Sequence, residues 1–122
     1  MDDVAWRYFL RGQCHALALA LSMDLDLPIV GDYKPNRDRP HHILNRAADG
    51  TLIDANWVVA WGGAASTWGT DQRPITSAEI GAFVRAGYAP VPDLELARSF
   101  VAKFARAANK RGVLLARRER EA

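Results

Sequence analysis

The stretch 41–57, HHILNRAADGTLIDANW, decides how this chain folds. Two runs that read as short strands, HHILNR and TLIDANW, flank AADG, where Asp49-Gly50 supplies the turn chemistry a hairpin requires. The size of the turn sets the register. A three-residue loop, Ala48-Asp49-Gly50 with Gly50 in the left-handed region, pairs Ala47 with Thr51. Counting outward, Leu44 then faces Asp54 and His42 faces Asn56, so that His42 and Asp54 are diagonal neighbours on one face. A two-residue Asp-Gly turn slips the pairing by one and brings His41 there instead. Glycine at the third loop position favours the first arrangement.

Upstream of the hairpin lies GQCHALALALSM, residues 12–23. From Cys14 to Met23 the residues are dominated by Ala and Leu, with no Gly, Pro or β-branched residue, which predicts a helix. Leu17, Leu19, Leu21 and the intervening alanines leave almost no polar face, so this helix belongs in the middle of the core. Pro28 ends the helical region, PIVG predicts a short strand, and KPNRDRP (34–40) is a polar, turn-rich loop.

Downstream, residues 60–74 read as a Gly-rich loop whose Trp61 and Trp68 are candidates to line a substrate groove. TSAE opens a helix with a capping box, Thr76 and Glu79, that runs to Arg85 and stops at Gly87. Asp93 caps a last long helix, 93–110, with Leu94, Ala97, Val101, Phe104 and Ala108 on one face; 117–122 is a charged tail. The expectation is one α+β domain over residues 1–122. In it a buried N-terminal helix packs on a small antiparallel sheet, with two additional helices around it.

Composition narrows the function classes. The chain has 122 residues, 49% hydrophobic and 25% charged, with no run approaching a membrane span. MDDVAWRYFLRG lacks the basic start and long apolar centre of a signal peptide, so a cytoplasmic location is expected. The formal charge of +2 and pI near 9.0 come largely from the stretch after residue 97. One basic amphipathic helix without a recognisable reading module argues against nucleic acid as the partner. A single cysteine excludes an internal disulfide and any Cys-rich zinc site.

That cysteine sits at the head of the central helix, where unpaired backbone N–H groups and the helix dipole favour a thiolate. His42, or His41 in the other register, is the candidate base, and Asp54 the orienting acid with Asn56 in reserve. Gln13 is a candidate oxyanion donor beside the Cys14 N–H. His15 lies about 100° around the helix and is not expected to share the base's partner. Tandem His41-His42 with Cys14 and Asp54 would also permit zinc. Adjacent strand side chains diverge, however, and no short-spaced ligand pair is present, so no metal or cofactor is expected.

At these residues the chain resembles a papain-like cysteine hydrolase reduced to its core, the Cys-His-Asp order of NlpC-type peptidases and transglutaminase-like domains. More narrowly, GQCHALALAL followed by HHILNRAADGTLIDANW is similar to small actinobacterial and phage proteins. Their pattern is G-x-C-H-x-x-A-x-A-L, then H-x-x-x-R-x-x-D-G-x-x-x-D-A. The resemblance covers residues 12–57 and implies Cys14 as nucleophile, His42 as base and Asp54 as acid. A Gly often stands two residues after that family's Asp-Ala pair; here the sequence is DANW. The implied activity is hydrolysis or acyl transfer at an amide or acyl bond, with a protein or peptide substrate. The competing expectation is a non-catalytic binding protein that keeps the papain-like core, such as a phage-encoded inhibitor or accessory factor. It would use the tryptophan loop and basic last helix as its contact surface.

Overall fold

The computed structural model describes residues 9, 13–48, 50–53, 71–110 and 112. The Ala-Leu segment forms α1 (Cys14–Leu25). Three of the strands follow, β1 (Ile29–Tyr33), β2 (His42–Arg46) and β3 (Leu52–Ile53). Next come β4 (Asp71–Pro74), α2 (Ser77–Arg85), α3 (Leu94–Ser99) and α4 (Val101–Lys110). The four strands form one sheet in the order β3-β2-β1-β4, with every neighbouring pair antiparallel. The architecture is α+β, with the N-terminal helix packed against the sheet.

Helix α1 is covered on more than one side, as its lack of a polar face demands. Ala16, Leu17, Ala20 and Leu21 share a cluster with Ala97, Phe100, Val101, Phe104 and Ala108 from α3, α4 and their junction. Ala18 packs with Ile29, Tyr33 and Ile43 of the sheet and with Ile75 and Ile80. Asn45 welds the two layers together: its buried amide donates to the Ala18 carbonyl at 3.1 Å. The helix runs past Met23 and closes on Asp26, at φ 59°, whose N–H bonds the carbonyls of Leu21 and Ser22. A short polar side chain tolerates that left-handed cap.

The hairpin has the three-residue geometry. Asn45 pairs with Ile53 and Arg46 with Leu52, the Ala47 N–H donates to the Thr51 carbonyl at 2.7 Å, and Gly50 sits at φ 94°. Both halves of the Thr76–Glu79 capping box form, and Gly87 adopts φ 81° just beyond α2.

Two features depart from the sequence expectation. Strand β4 lies in the segment read as the end of a loop. It is a short polar edge strand, invisible to hydrophobic alternation, and it exists because β1 offers it a full ladder from Val30 to Tyr33. The long helix 93–110 is broken at Phe100. There the Ser99 hydroxyl donates to the Leu96 carbonyl at 2.6 Å, and the Phe100 N–H turns to Ala97 instead, tightening the turn. Among the described residues three helices therefore follow α1. Asp54, Asn56, Trp61, Trp68 and the tail 117–122 lie outside the described residues. Among the described residues no helix is long and apolar enough to cross a membrane.

This packing predicts a contrast within α1. Leu21→Ala, at a fully buried position, lowers unfolding free energy by about 2–5 kcal/mol in urea titration. Met23→Ala, two residues on at an exposed position, changes it by less than about 0.5 kcal/mol. Equal costs would mean that α1 is not oriented as described.

Candidate functional site

The site is assembled where the first turn of α1 meets the first residues of β2. The Asn45–Ala18 bond and the packing of Ile43 beside Ala18 fix how the helix lies on the strand. Cys14 is the first residue of α1 and half-buried. Its sulfur bonds the side chains of His15 and His42 and the backbone of Ile43. Strand β2 opens at His42, so the two ends that face each other both belong to regular elements, and neither depends on a loop for its position.

Opposing effects act on the Cys14 thiol. Burial is the largest and pushes its pKa up. Hydrogen bonds from His15 and His42, the charge of His42 and the Ile43 backbone together outweigh it, and the pKa falls from 9.0 to about 6. At neutral pH the sulfur is therefore mainly thiolate, the form that attacks carbonyl carbon and alkylating agents.

His15 is closer to this chemistry than its place around the helix suggests. It is 2% exposed, and its Nε2 lies 2.8 Å from the Pro90 carbonyl. A carbonyl only accepts, so that nitrogen carries a hydrogen and the tautomer is fixed. Burial pulls the His15 pKa down, but the bonds to Cys14 and Pro90 raise it above its ordinary value. Contrary to expectation, His15 and His42 share one partner, the sulfur. His15 meets the sulfur from within α1 and His42 meets it from β2.

Gln13, the candidate oxyanion donor, is bonded to the segment before α3. The side chain is buried and does not cap its own helix; its amide donates to the Val91 carbonyl at 3.1 Å and its oxygen accepts from the Asp93 N–H at 2.8 Å. Gln13 and His15 thus strap the segment 90–93 over the head of α1. Asp93 is in turn the N-cap of α3, accepting from the Leu96 N–H.

His41 is turned to a different partner. Its Nε2 lies 2.7 Å from Oδ2 of Asp32, a carboxylate with no exposed surface, and the Gln72 amide donates to Oδ1 of the same group at 2.6 Å. Asp32 sits in β1 directly opposite His42 and Gln72. Sequence reading did not single out Asp32. Its signal was a carboxylate inside an otherwise apolar strand, IVGDY, which is costly unless each oxygen is bonded. Among the described residues no three His, Cys, Asp or Glu side chains cluster to hold a metal ion.

Comparison with protein-family models, with curated proteins and with solved structures finds no match to this chain.

The two imidazoles on one sulfur predict a measurable division of effect. His15→Ala raises the pH midpoint of Cys14 alkylation from about 6 by about one unit, read from iodoacetamide rates across pH. An unchanged midpoint would reduce His15 to a packing residue.

Proposed function

We propose that this chain is a cysteine-dependent hydrolase or acyltransferase acting on an amide or related acyl bond. The observation that carries the reading is the half-buried Cys14 at the head of α1, bonded to His42 at the head of β2, with its pKa lowered to about 6. Burial alone would make such a thiol inert; the imidazoles make it a nucleophile.

In the proposed reaction the Cys14 sulfur attacks the carbonyl carbon and a C–S bond forms. The developing oxyanion is met by the Cys14 backbone N–H in the uncapped first turn. His42, which holds the thiol proton, delivers it to the leaving amine as the C–N bond breaks. The thioester that remains is resolved by water, with His42 taking a proton from it, or by a second nucleophile in acyl transfer. Asp54, the residue after Ile53 in the chain, is the proposed orienter of His42, on the sequence pattern. Trp61 and Trp68 remain proposed groove residues on the same footing.

A competing reading keeps the core and drops the chemistry: a binding protein in which Cys14 is a structural thiol. The lowered pKa favours the first, because a thiol kept only for packing gains nothing from two imidazole partners.

The test uses labelling rather than a substrate. Iodoacetamide at pH 6.5 modifies Cys14 about as fast as at pH 8, since more than half the thiol is already ionised at the lower pH. Cys14→Ala abolishes both this labelling and trapping by an electrophilic acyl probe, with circular dichroism and melting temperature close to the parent. His42→Ala shifts the alkylation limb upward and stops turnover of the acyl probe. Asp54→Asn leaves alkylation at pH 8 but slows turnover by orders of magnitude. A thiol that labels only above about pH 8 would leave the binding-protein reading in place.

A further inference from the structure

The loop joining β1 to β2 walls an open cleft of about 770 Å³, lined by Lys34, Asn36, Arg37, Asp38, Arg39, Pro40 and His41. Leaving aside His41, which is paired with Asp32, three cations face one carboxylate, a local charge of +2. The loop is built rather than loose at this point. The Arg37 N–H donates to the Lys34 carbonyl at 3.3 Å, and Asn36 takes φ 64° behind Pro35. This is a turn with proline at its second position and a left-handed residue at its third. Such a turn holds its first and fourth residues within about 7 Å, and here those are Lys34 and Arg37.

Their side chains are exposed and make no ion pair or hydrogen bond among the described residues. The two remaining basic groups are anchored. Arg39 stacks on the Tyr88 ring at 3.7 Å, and His41 is tied to buried Asp32. Asp38 is fully exposed and only 4.0 Å from Arg39, a surface contact too weak to neutralise the cluster. Lys34 and Arg37 thus carry two like charges, unpaired among the described residues, on a turn that holds their backbones close, with Arg39 and His41 beside them held in place. An incoming pair of carboxylates satisfies both.

We infer that this cleft binds an acidic peptide segment, with Lys34 and Arg37 taking its carboxylates. His41 is one of the lining residues, and the next residue in the chain, His42, is a partner of the Cys14 thiol. That the bound segment is substrate rests on the proposed function; that it binds does not. Among the described residues no Phe, Tyr or Trp lines the cleft, and its one ring, His41, is tied to Asp32; base stacking needs a free ring, which favours a peptide over single-stranded nucleic acid.

Binding is measured by fluorescence anisotropy on the Cys14→Ala protein. The probe is a Gly-Ser peptide with two adjacent central Glu and an uncharged dye, compared with the same peptide carrying Gln. The Glu peptide is expected to bind about tenfold tighter at low salt, with the advantage shrinking as salt rises. The double variant Lys34→Gln/Arg37→Gln removes that preference. Arg106→Ala/Lys110→Ala, which makes the same change in net charge on exposed α4 positions, leaves it intact. Three results overturn the inference: no Glu preference, equal loss in both double variants, or an oligouridylate of equal charge binding tighter than the Glu peptide. If Glu preference holds while iodoacetamide fails to label Cys14 near pH 6.5 in the parent protein, the catalytic reading falls and the cleft stands.

Discussion

A helix without a polar face has to be covered all the way round, and most of this structure follows from that constraint. The sheet takes one side of α1 through Ala18, while α3 and α4 take another through Leu17, Ala20 and Leu21. The head of the helix is closed too, but by polar means. Gln13 and His15 reach across some eighty positions in sequence to the carbonyls of Val91 and Pro90. That closure turns an ordinary helix N-terminus into a half-buried pocket for one sulfur. Without the strap at 90–93, Cys14 would face water at a frayed end; with apolar cover alone, it would be an inert buried thiol.

The magnitudes decide between those outcomes. Burial is the largest single effect on Cys14, and acting alone it would raise the pKa. No other single effect matches burial, but the hydrogen bonds of the two imidazoles, the charge of His42 and the Ile43 backbone together reverse its sign. A similar balance appears one strand away. Asp32 is a fully buried carboxylate in the central strand, a position that costs several kcal/mol without partners, and it is met from both neighbouring segments by His41 and Gln72. Among the described residues the buried polar groups Gln13, His15, Asp32 and Asn45 each bond a residue outside their own element.

What the sequence reveals and what it hides divide along the range of the interactions. The Ala-Leu helix, the register of the 47–51 turn, the Thr76 capping box and the left-handed Gly87 are local properties, written in neighbouring residues. The edge strand β4 carries no pattern of its own, because its ladder is supplied by β1. The break at Phe100 depends on one Ser99 hydroxyl competing for the Leu96 carbonyl, inside a helical periodicity that continues through it. At the site, the placement of Cys14 could be read from the helix start. The contact of His15 with Cys14 and the spending of Gln13 on Val91 could not, since both follow from how a segment eighty residues later docks. Asp32 was legible only as an anomaly, an acid in an apolar strand whose partners came from two other segments.

The tandem histidines show how local alternation and remote packing act together. Adjacent residues at a strand start send their side chains to different places. At this strand one imidazole is claimed by Asp32 in β1 and the other by the sulfur at the head of α1. The His41 backbone N–H also donates to the Asp32 carbonyl at 2.9 Å, so main chain and side chain are fixed to the same residue. That double attachment ends the 34–41 loop firmly one residue before His42. A looser junction would let His42 drift relative to the helix, and on the proposed function small displacements between Cys14 and His42 cost large factors in rate. The Asp32–His41 pair therefore anchors the chain at the point where the cationic loop gives way to the strand that faces Cys14.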